Sequence, residues 1–301
     1  MITFLSGGTG TPKLLLGMRE LMDESDISVI VNTAEDLWMS GNYLSPDIDT
    51  VIYLFAGILD TQRWWGIEGD TYATHEEIRR HGGEEYLAIG DRDRAVHILR
   101  GEMLRRGLRL TECTTSISRI FGVRAQVLPM SDTAVNTIIS TPEGEMHFQE
   151  YWVRFRGEPK VLRVHRRFEA PPITTGEALS TIAESAAVVI GPSNPVTSIM
   201  PILECRGIKE AMKGKTVVAV SPFMGDRPFS GPAAPLMRAW GLEPTAMDTY
   251  RLYRGIATLF IQDVRDPYRI KGAYAMDTLM SDRKKSIDLA EEILQLVEQG
   301  G

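Results

Sequence analysis

Three aspartates near the start of the chain have the residue type and the spacing to hold a metal ion beside a phosphorylated ligand. Asp36, Asp47 and Asp49 lie within residues 32–49, a segment rich in Asp, Asn, Trp and Tyr. A stretch of this length without regular structure is usually functional or disordered. Carboxylates hold Mg²⁺ beside a diphosphate, and a nearby carboxylate can accept a proton from an attacking hydroxyl group. The segment therefore predicts a phosphoryl-transfer site with Asp36, Asp47 and Asp49 as metal ligands.

A second interpretation of the same aspartates requires no ligand. Residues 50–58 predict an apolar helix, and Asp49 would be its N-cap. Asp47 would then close a turn after Pro46. Because asparagine caps a helix about as well as aspartate, the two interpretations differ in whether the negative charge is needed.

A glycine-rich turn at residues 7–11 supplies a candidate phosphate-binding site. An apolar run over residues 2–5 predicts a buried strand, and Pro12 suits the first turn of the helix that follows. Free N–H groups and the helix dipole at such a junction favour an anion. The dinucleotide-binding and P-loop fingerprints are both incomplete here, so a plain tight turn is the alternative. The candidate phosphate-binding residues are Gly8, Thr9, Gly10 and Lys13.

Two further loops follow apolar strands later in the chain. Residues 186–190 and 216–220 predict buried strands that run into polar loops at residues 191–198 and 221–232. The strand–helix–strand order of residues 2–31 predicts a parallel sheet, and the carboxyl ends of parallel strands lie along one edge. The two loops and the glycine turn should therefore converge on one site. Their candidate binding residues are Gly191, Ser193, Asn194 and Ser221.

The pattern as a whole predicts one α/β domain over residues 1–301. We expect a Rossmann-like, open, mainly parallel sheet with helices on both faces. Residues 50–121 predict a helical insertion, with helices at 73–81, 92–106 and 111–121. Residues 123–172 change to alternating polar and apolar positions around a turn at 141–145, which predicts a small β-hairpin region with a basic flank.

Composition excludes several classes of protein. The net charge of −7 argues against nucleic acid as a partner, and no apolar run is long enough to predict a membrane span. No charged region precedes the first apolar run, so we expect no signal peptide and a cytoplasmic protein. Cys113 and Cys205 are far apart and in no metal-binding spacing, which favours two reduced thiols.

Several short motifs together resemble the 2-phospho-L-lactate transferase family, which makes the deazaflavin coenzyme F-420. The resemblance covers essentially the whole chain, and the motifs at 45–50 and 90–93 are its most specific parts. The motifs are Ser-Gly-Gly-Thr-Gly at 6–10 with Lys-Leu-Leu at 13–15, Asn-Thr at 32–33 with Asp36, Ser-Pro-Asp-Ile-Asp-Thr at 45–50, Gly-Asp-Arg-Asp at 90–93, Gly-Pro-Ser-Asn-Pro at 191–195 and Ser-Pro-Phe-Met-Gly at 221–225.

The resemblance implies a Mg²⁺-dependent transferase of substituted phosphate groups. Lactyl (or enolpyruvyl) diphosphoguanosine would donate its phospholactyl group to the terminal ribityl hydroxyl of Fo, a 5-deazaflavin, and GMP would leave. The donor, GDP and GMP are thus the expected nucleotide ligands, and Fo is the expected acceptor.

The resemblance also implies roles for individual residues. Asp47 and Asp49 are assigned to catalysis, between the metal and the acceptor hydroxyl. The family often has a longer side chain at position 88, so Ala88 can contribute only backbone or a wall to the acceptor site. The donor is assigned to Gly8, Thr9, Gly10, Lys13, Gly191, Ser193, Asn194 and Ser221, and Fo to Asn32, Thr33, Asp49, Ala88, Asp91 and Arg92.

Two other functions are compatible with parts of the pattern. A related family of nucleotide-sugar-binding gluconeogenesis factors shares the Gly-Gly-Thr-Gly opening but acts by binding, without a need for paired Asp47 and Asp49. A nicotinamide oxidoreductase would need a third glycine where Lys13 stands and an acidic residue where Val31 and Asn32 end the second strand.

The segment from about 142 to 170 predicts a homodimer contact. It departs from the α/β pattern and mixes Tyr151, Trp152 and Phe155 with arginines. Aromatic residues and arginine are enriched at protein interfaces. We therefore expect two copies of the chain to associate through this segment.

Overall fold

The computed structural model describes residues 1–228 and 231–299. Within those residues the strands, in chain order, are β1 (Ile2–Ser6), β2 (Ile27–Val31), β3 (Leu37–Met39), β4 (Asn42–Leu44), β5 (Gln126–Pro129), β6 (Val135–Thr141), β7 (Gly144–His147), β8 (Arg163–Phe168), β9 (Ala187–Ile190), β10 (Thr216–Val220), β11 (Phe223–Met224), β12 (Arg227–Pro228), β13 (Leu259–Asp263) and β14 (Tyr274–Met276). The α-helices are α1 (Gly10–Leu21), α2 (Pro46–Phe55), α3 (Ala73–Arg80), α4 (Asp91–Arg105), α5 (Leu110–Ile120), α6 (Gly176–Glu184), α7 (Met200–Glu204), α8 (Ile208–Ala211), α9 (Ala233–Ala239), α10 (Ala246–Tyr253) and α11 (Arg283–Gln299).

Seven strands form a parallel sheet in the order β14-β13-β10-β9-β1-β2-β5. From β1 the chain adds β2 and β5 on one side, and later adds β9, β10, β13 and β14 on the other. The strand order therefore reverses between β1 and β9. In an open α/β sheet, the crevice at the carboxyl ends of two such strands is where ligands bind.

The core has two layers, one on each face of this sheet. Apolar side chains of α1, α2 and α11 pack with Phe4 and Val29 on one face. Those of α6, α7, α8 and α10 pack with Leu5 and Ile30 on the other face. The prediction of a Rossmann-like parallel sheet with helices on both faces is thus confirmed.

The segment of residues 32–49 is more ordered than its sequence predicts. It contains the β3–β4 hairpin, and α2 begins at Pro46. Proline is favoured at the start of a helix because its fixed φ angle suits the first turn. Ser45 occupies the N-cap position, so the prediction that Asp49 caps this helix is wrong.

The region after α5 also differs from its prediction. We predicted residues 123–130 to belong with the hairpin, but Gln126–Pro129 is an edge strand of the main sheet, paired in parallel with β2. A short apolar run such as Val127-Leu128 does not reveal which sheet it joins, because its burial is the same in either. The β6–β7 hairpin itself is confirmed, and β8 extends it to three antiparallel strands.

Within the described residues, no helix combines the length and the apolar character needed to cross a lipid bilayer.

Candidate active site

A cavity of about 600 Å³ opens at the point where the strand order reverses. Its walls come from the turn after β1, the start of α2, the loop before α3, the loop before α4 and the turn after β9. A volume of this size is typical of a small-molecule site. The predicted site residues among its lining are Gly8, Thr9, Gly10, Lys13, Asp47, Ala88 and Asn194.

The glycines after β1 and β9 allow these two turns to pack tightly. A Cβ atom on Gly10 would lie 1.9 Å from the carbonyl oxygen of Pro192, and one on Gly191 would lie 2.1 Å from Thr11 Oγ1. Thr11 N also donates to Ser193 Oγ at 3.0 Å. Gly10, Gly191 and Ser193 therefore have a structural role that is sufficient to explain their residue types.

The Asp47 carboxylate lies against the glycine turn. Its Oδ1 accepts the Gly8 N–H at 2.7 Å, and its Oδ2 accepts Asn32 Nδ2 at 2.8 Å. Burial raises the pKa of Asp47 to about 6, although these two donors act in the opposite direction. Asp47 is thus a buried carboxylate at the cavity wall, held by a strand end and a turn.

Glu35 is a second carboxylate in the cavity wall, and the sequence prediction missed it. Its Oε2 accepts Gln149 Nε2 at 3.2 Å. Burial, followed by the nearby charge of Asp47, raises the pKa of Glu35 well above its ordinary value. The sequence offered one indication of this role, namely that Glu35 is adjacent to Asp36. Because the side chains of adjacent residues point in different directions, Glu35 can face the cavity while Asp36 does not.

Asp36 supports the β3–β4 hairpin. Its Oδ2 accepts Ser45 Oγ at 2.7 Å and Tyr43 Oη at 3.2 Å, and burial raises its pKa well above the ordinary value. Asp36 is not among the described residues that line the cavity.

Asp49 belongs to a buried ionic cluster on the inner side of α2. Arg100 donates to both of its carboxylate oxygens, and His97 Nε2 lies 3.2 Å from Oδ2. His97 Nε2 is also 3.0 Å from Asp93 Oδ1, which accepts Tyr53 Oη at 2.7 Å. Burial would raise the pKa of Asp49, but Arg100 and His97 together hold it below its ordinary value.

Ligand atoms of Asp49, Asp93 and His97 lie within 4.8 Å of one another, a separation that a metal site would also have. Arg100, however, already compensates the charge of Asp49. The pKa of His97 is about 9, because the two carboxylates outweigh the opposite effect of burial. Two cationic groups therefore balance two carboxylates, and the cluster is complete without a metal ion.

We predict that this cluster makes stability depend on pH. The folded chain keeps the His97 proton up to about pH 9, whereas the unfolded chain releases it near 6.5, the ordinary pKa of histidine. The contribution is therefore full below pH 6.5 and is lost as the pH rises through 9, a change of about 3 kcal/mol in the free energy of unfolding. The free energy of unfolding, measured with urea between pH 6 and about 10, should fall less steeply for His97→Gln than for the unaltered protein. His81→Gln, at an exposed histidine, is the control; equal pH slopes for all three proteins would contradict the prediction.

The other residues assigned to Fo are dispersed. Asn32 donates from Nδ2 to the Asp47 carboxylate, and Thr33, the next residue in the chain, is buried. Asp91 accepts the Ala73 and Thr74 N–H groups and so holds the start of α3, while Arg92 donates from Nη1 to the Glu68 carbonyl oxygen. These four residues are absent from the described lining of the cavity, whereas Ala88 is part of it.

Ser221 is also buried, and its Oγ accepts the Phe223 N–H at 3.2 Å. It is not among the described residues that line the cavity. Phe229 and Ser230, in the loop predicted to converge there, lie outside the described residues; Gly231 and Pro232 of that loop are in the cavity wall.

Aromatic side chains complete the cavity. Trp64, Trp65, Phe148 and Trp152 line it, and Lys13 Nζ lies 5.4 Å from the centre of the Trp64 ring. The site thus combines carboxylates, a cation at a helix start and flat apolar walls, a set that suits a ligand with both phosphate and ring portions.

Comparison with known proteins finds relatives along nearly the whole chain. The family model described as 2-phospho-L-lactate transferase CofD matches residues 2–294. Proteins called 2-phospho-L-lactate transferase are 52% identical in Methanocorpusculum labreanum, over 98% of this chain and 98% of that protein. The identity is 49% in Methanospirillum hungatei and 48% in Methanosarcina mazei, each over 98% of this chain and 99% of the relative.

A solved structure also resembles the chain. A member of the UPF0052 family from Bacillus halodurans superposes with a TM-score of 0.60 at 20% identity, covering 97% of this chain and 98% of that one. At this identity the likeness concerns the fold alone.

Proposed function

Since this chain belongs to the 2-phospho-L-lactate transferase family, we propose that it transfers the 2-phospholactyl group from lactyl diphospho-5'-guanosine to the terminal ribityl hydroxyl of Fo. Fo is 7,8-didemethyl-8-hydroxy-5-deazariboflavin, and the products are GMP and the phosphodiester precursor of coenzyme F-420. The observation that carries the proposal is the cavity at the strand reversal. It combines a helix N-terminus, two buried carboxylates and aromatic walls.

The cavity wall has one set of residues that suits the donor and another that suits the acceptor. Gly10 and Lys13 lie at the start of α1, where N–H groups and a lysine ammonium suit a diphosphate. Trp64, Trp65 and Trp152 present rings that can stack on a planar deazaflavin. A donor and an acceptor bound in one cavity can react without diffusing apart.

Glu35 and Asp47 are the residues that fit Mg²⁺. Both carboxylates are buried in the cavity wall, and the charge of Asp47 contributes to the raised pKa of Glu35. A divalent cation bound by both would relieve this repulsion, and oxygen ligands are those that Mg²⁺ prefers. The ion supplies positive charge that neutralises the phosphoryl oxygens. This assignment differs from the sequence prediction, since Asp36 is not among the described residues that line the cavity and Asp49 is paired with Arg100.

The proposed reaction exchanges one P–O bond for another. The ribityl oxygen forms a bond to the phosphorus that carries the lactyl group, and the bond from that phosphorus to the bridging oxygen breaks. GMP leaves with this oxygen, and the hydroxyl proton passes to a carboxylate, for which Asp47 is our candidate. Lys13, in the cavity wall, would stabilise the charge that develops on the leaving phosphate.

The proposal is tested by incubating the purified protein with Fo, Mg²⁺ and lactyl diphosphoguanosine, then measuring GMP and the phosphodiester product. We expect equal amounts of both products and no reaction after chelation of Mg²⁺. Nucleotide binding without GMP release would instead support a binding protein of the gluconeogenesis-factor kind.

We also propose that two copies associate through the β6–β7–β8 region. Its exposed apolar side chains include Phe155, Leu162 and Phe168. Light scattering should give twice the chain mass, and Leu162→Ser should lower the dimer fraction because it removes an apolar contact. Tyr268→Ser, at an exposed residue outside this region, is the control. A monomer mass for the unaltered protein at working concentration would contradict the proposal.

A further inference from the structure

Two loops of the helical insertion form one side of the main cavity. Trp64 and Trp65 line it from the loop before α3, and Leu87 and Ala88 line it from the loop before α4. None of these four residues lies in a helix or a strand. The width of the gap between the two loops therefore depends on contacts that join one loop to the other.

Two aspartates join these loops, because each caps the helix that follows the other loop. Asp70, near the end of the first loop, accepts the Arg92 and Asp93 N–H groups in the first turn of α4, at 3.0 Å each. Asp91, the first residue of α4, accepts the N–H groups of the first two residues of α3, at 3.0 and 2.9 Å. The free N–H groups at both helix starts are thus satisfied across the gap.

A glycine lets the two segments approach this closely. A Cβ atom on Gly90 would lie 2.2 Å from Asp70 Oδ2. Thr71 Oγ1 also donates to Asp91 Oδ2 at 2.6 Å, and Asp91 N donates to the Thr71 carbonyl oxygen at 2.8 Å. Gly90 and Asp91 of the Gly-Asp-Arg-Asp motif therefore serve this junction, and neither is among the described residues that line the cavity.

On the basis of the proposed function, we propose that Asp70 and Asp91 are positioning residues for the acceptor. By capping each other's helices, they set the width of the gap between the two loops, and the flat ring system of Fo would lie in this gap. Each carboxylate acts through the loop that it holds and does not touch the ligand.

Loss of one cap should loosen the loops without unfolding the helices. α4 is also held along its length by the buried ionic cluster, in which Arg100 and His97 pair with Asp49. α3 is held by His75, whose Nδ1 lies 2.9 Å from Oε2 of the buried Glu85. The helix starts and the loops before them are therefore the parts that the caps control.

Steady-state kinetics with Fo and the donor test this inference. Asp70→Ala and Asp91→Ala should each raise KM for Fo about tenfold, the ratio that corresponds to the loss of a typical helix cap. Turnover at saturating Fo and KM for the donor should change by no more than about twofold, because the reacting groups and the glycine turn stay in place.

Asp70→Asn separates a positioning role from direct contact with a ligand. Asparagine caps a helix about as well as aspartate, so KM for Fo should stay close to that of the unaltered protein. A rise in KM for Fo as large as that in Asp70→Ala would show that the negative charge matters, and would overturn the positioning role.

Thr175→Ala is the matched control, because it removes a helix cap on the other face of the sheet. Thr175 Oγ1 accepts the Ala178 N–H at 3.1 Å at the start of α6. This variant should lower the melting temperature to a similar extent and leave KM for Fo unaltered. An unchanged KM in Asp70→Ala and Asp91→Ala, or an equal rise in Thr175→Ala, would overturn the inference and leave the proposed function intact. Failure of the unaltered protein to react with Fo would overturn both.

Discussion

Asp47→Asn should lower turnover by about a hundredfold or more while the protein remains folded. The substitution keeps an acceptor for the Gly8 N–H but removes the negative charge. That charge is what the proposed mechanism requires, as a Mg²⁺ ligand or as the acceptor of the hydroxyl proton. The measurement is the rate of GMP release at saturating Fo, donor and Mg²⁺, together with the melting temperature.

Asp36→Asn is the control for this experiment. Asp36 is an equally buried carboxylate in the same segment, but its partners are Ser45 and Tyr43. An amide oxygen can still accept from those hydroxyls, so turnover should change by no more than a few fold. Full turnover in Asp47→Asn would remove Asp47 from the mechanism, and a loss in Asp36→Asn equal to that in Asp47→Asn would restore the original metal assignment of Asp36.

Asp49→Asn should have its largest effect on stability. It leaves Arg100, which is 0% exposed, without a charged partner at the shortest contact of the ionic cluster. Removing one member of a buried ion pair commonly costs about 3–5 kcal/mol. Urea unfolding at neutral pH measures the loss.

Glu102→Gln provides the comparison on the same helix as Arg100. Its ion pair with Arg106 has a distance of 2.9 Å, close to the 3.0 Å between Arg100 Nη1 and Asp49 Oδ2, but both side chains are exposed. Such pairs contribute about 1 kcal/mol or less. An Asp49→Asn protein as stable as Glu102→Gln would show that the cluster does not anchor α2.

The two aspartates of the Ser-Pro-Asp-Ile-Asp-Thr motif show where sequence reasoning stops. In a loop, Asp47 and Asp49 could both reach one ligand. Because α2 begins at Pro46, both lie in its first turn, and residues two apart in a helix point in different directions. Asp47 faces the cavity, and Asp49 faces Arg100. The motif alone does not separate the two residues, because the start of the helix determines their different environments.

Strands and the loops after them were predictable because short apolar runs and glycine turns mark them in the local sequence. The apolar run over residues 2–5 predicts β1 to within one residue of its observed end at Ser6, and the run over residues 27–31 predicts β2. Partners distant in the chain have no such local pattern. Glu35 meets Gln149 across 114 positions, and Asp49 meets Arg100 across 51. These contacts depend on how the helical insertion and the antiparallel region fold against the sheet.

The central place of β1 has a consequence for how the protein is made. One neighbour of β1, the strand β2, follows it closely in the chain, but its other neighbour, β9, begins only at Ala187. At ordinary rates of synthesis, that edge stays bare for roughly ten to thirty seconds. An unpaired strand edge readily recruits wrong partners. The nascent chain therefore has no complete cavity until β9 has been made and the turn that follows it, with Pro192, packs against Gly10.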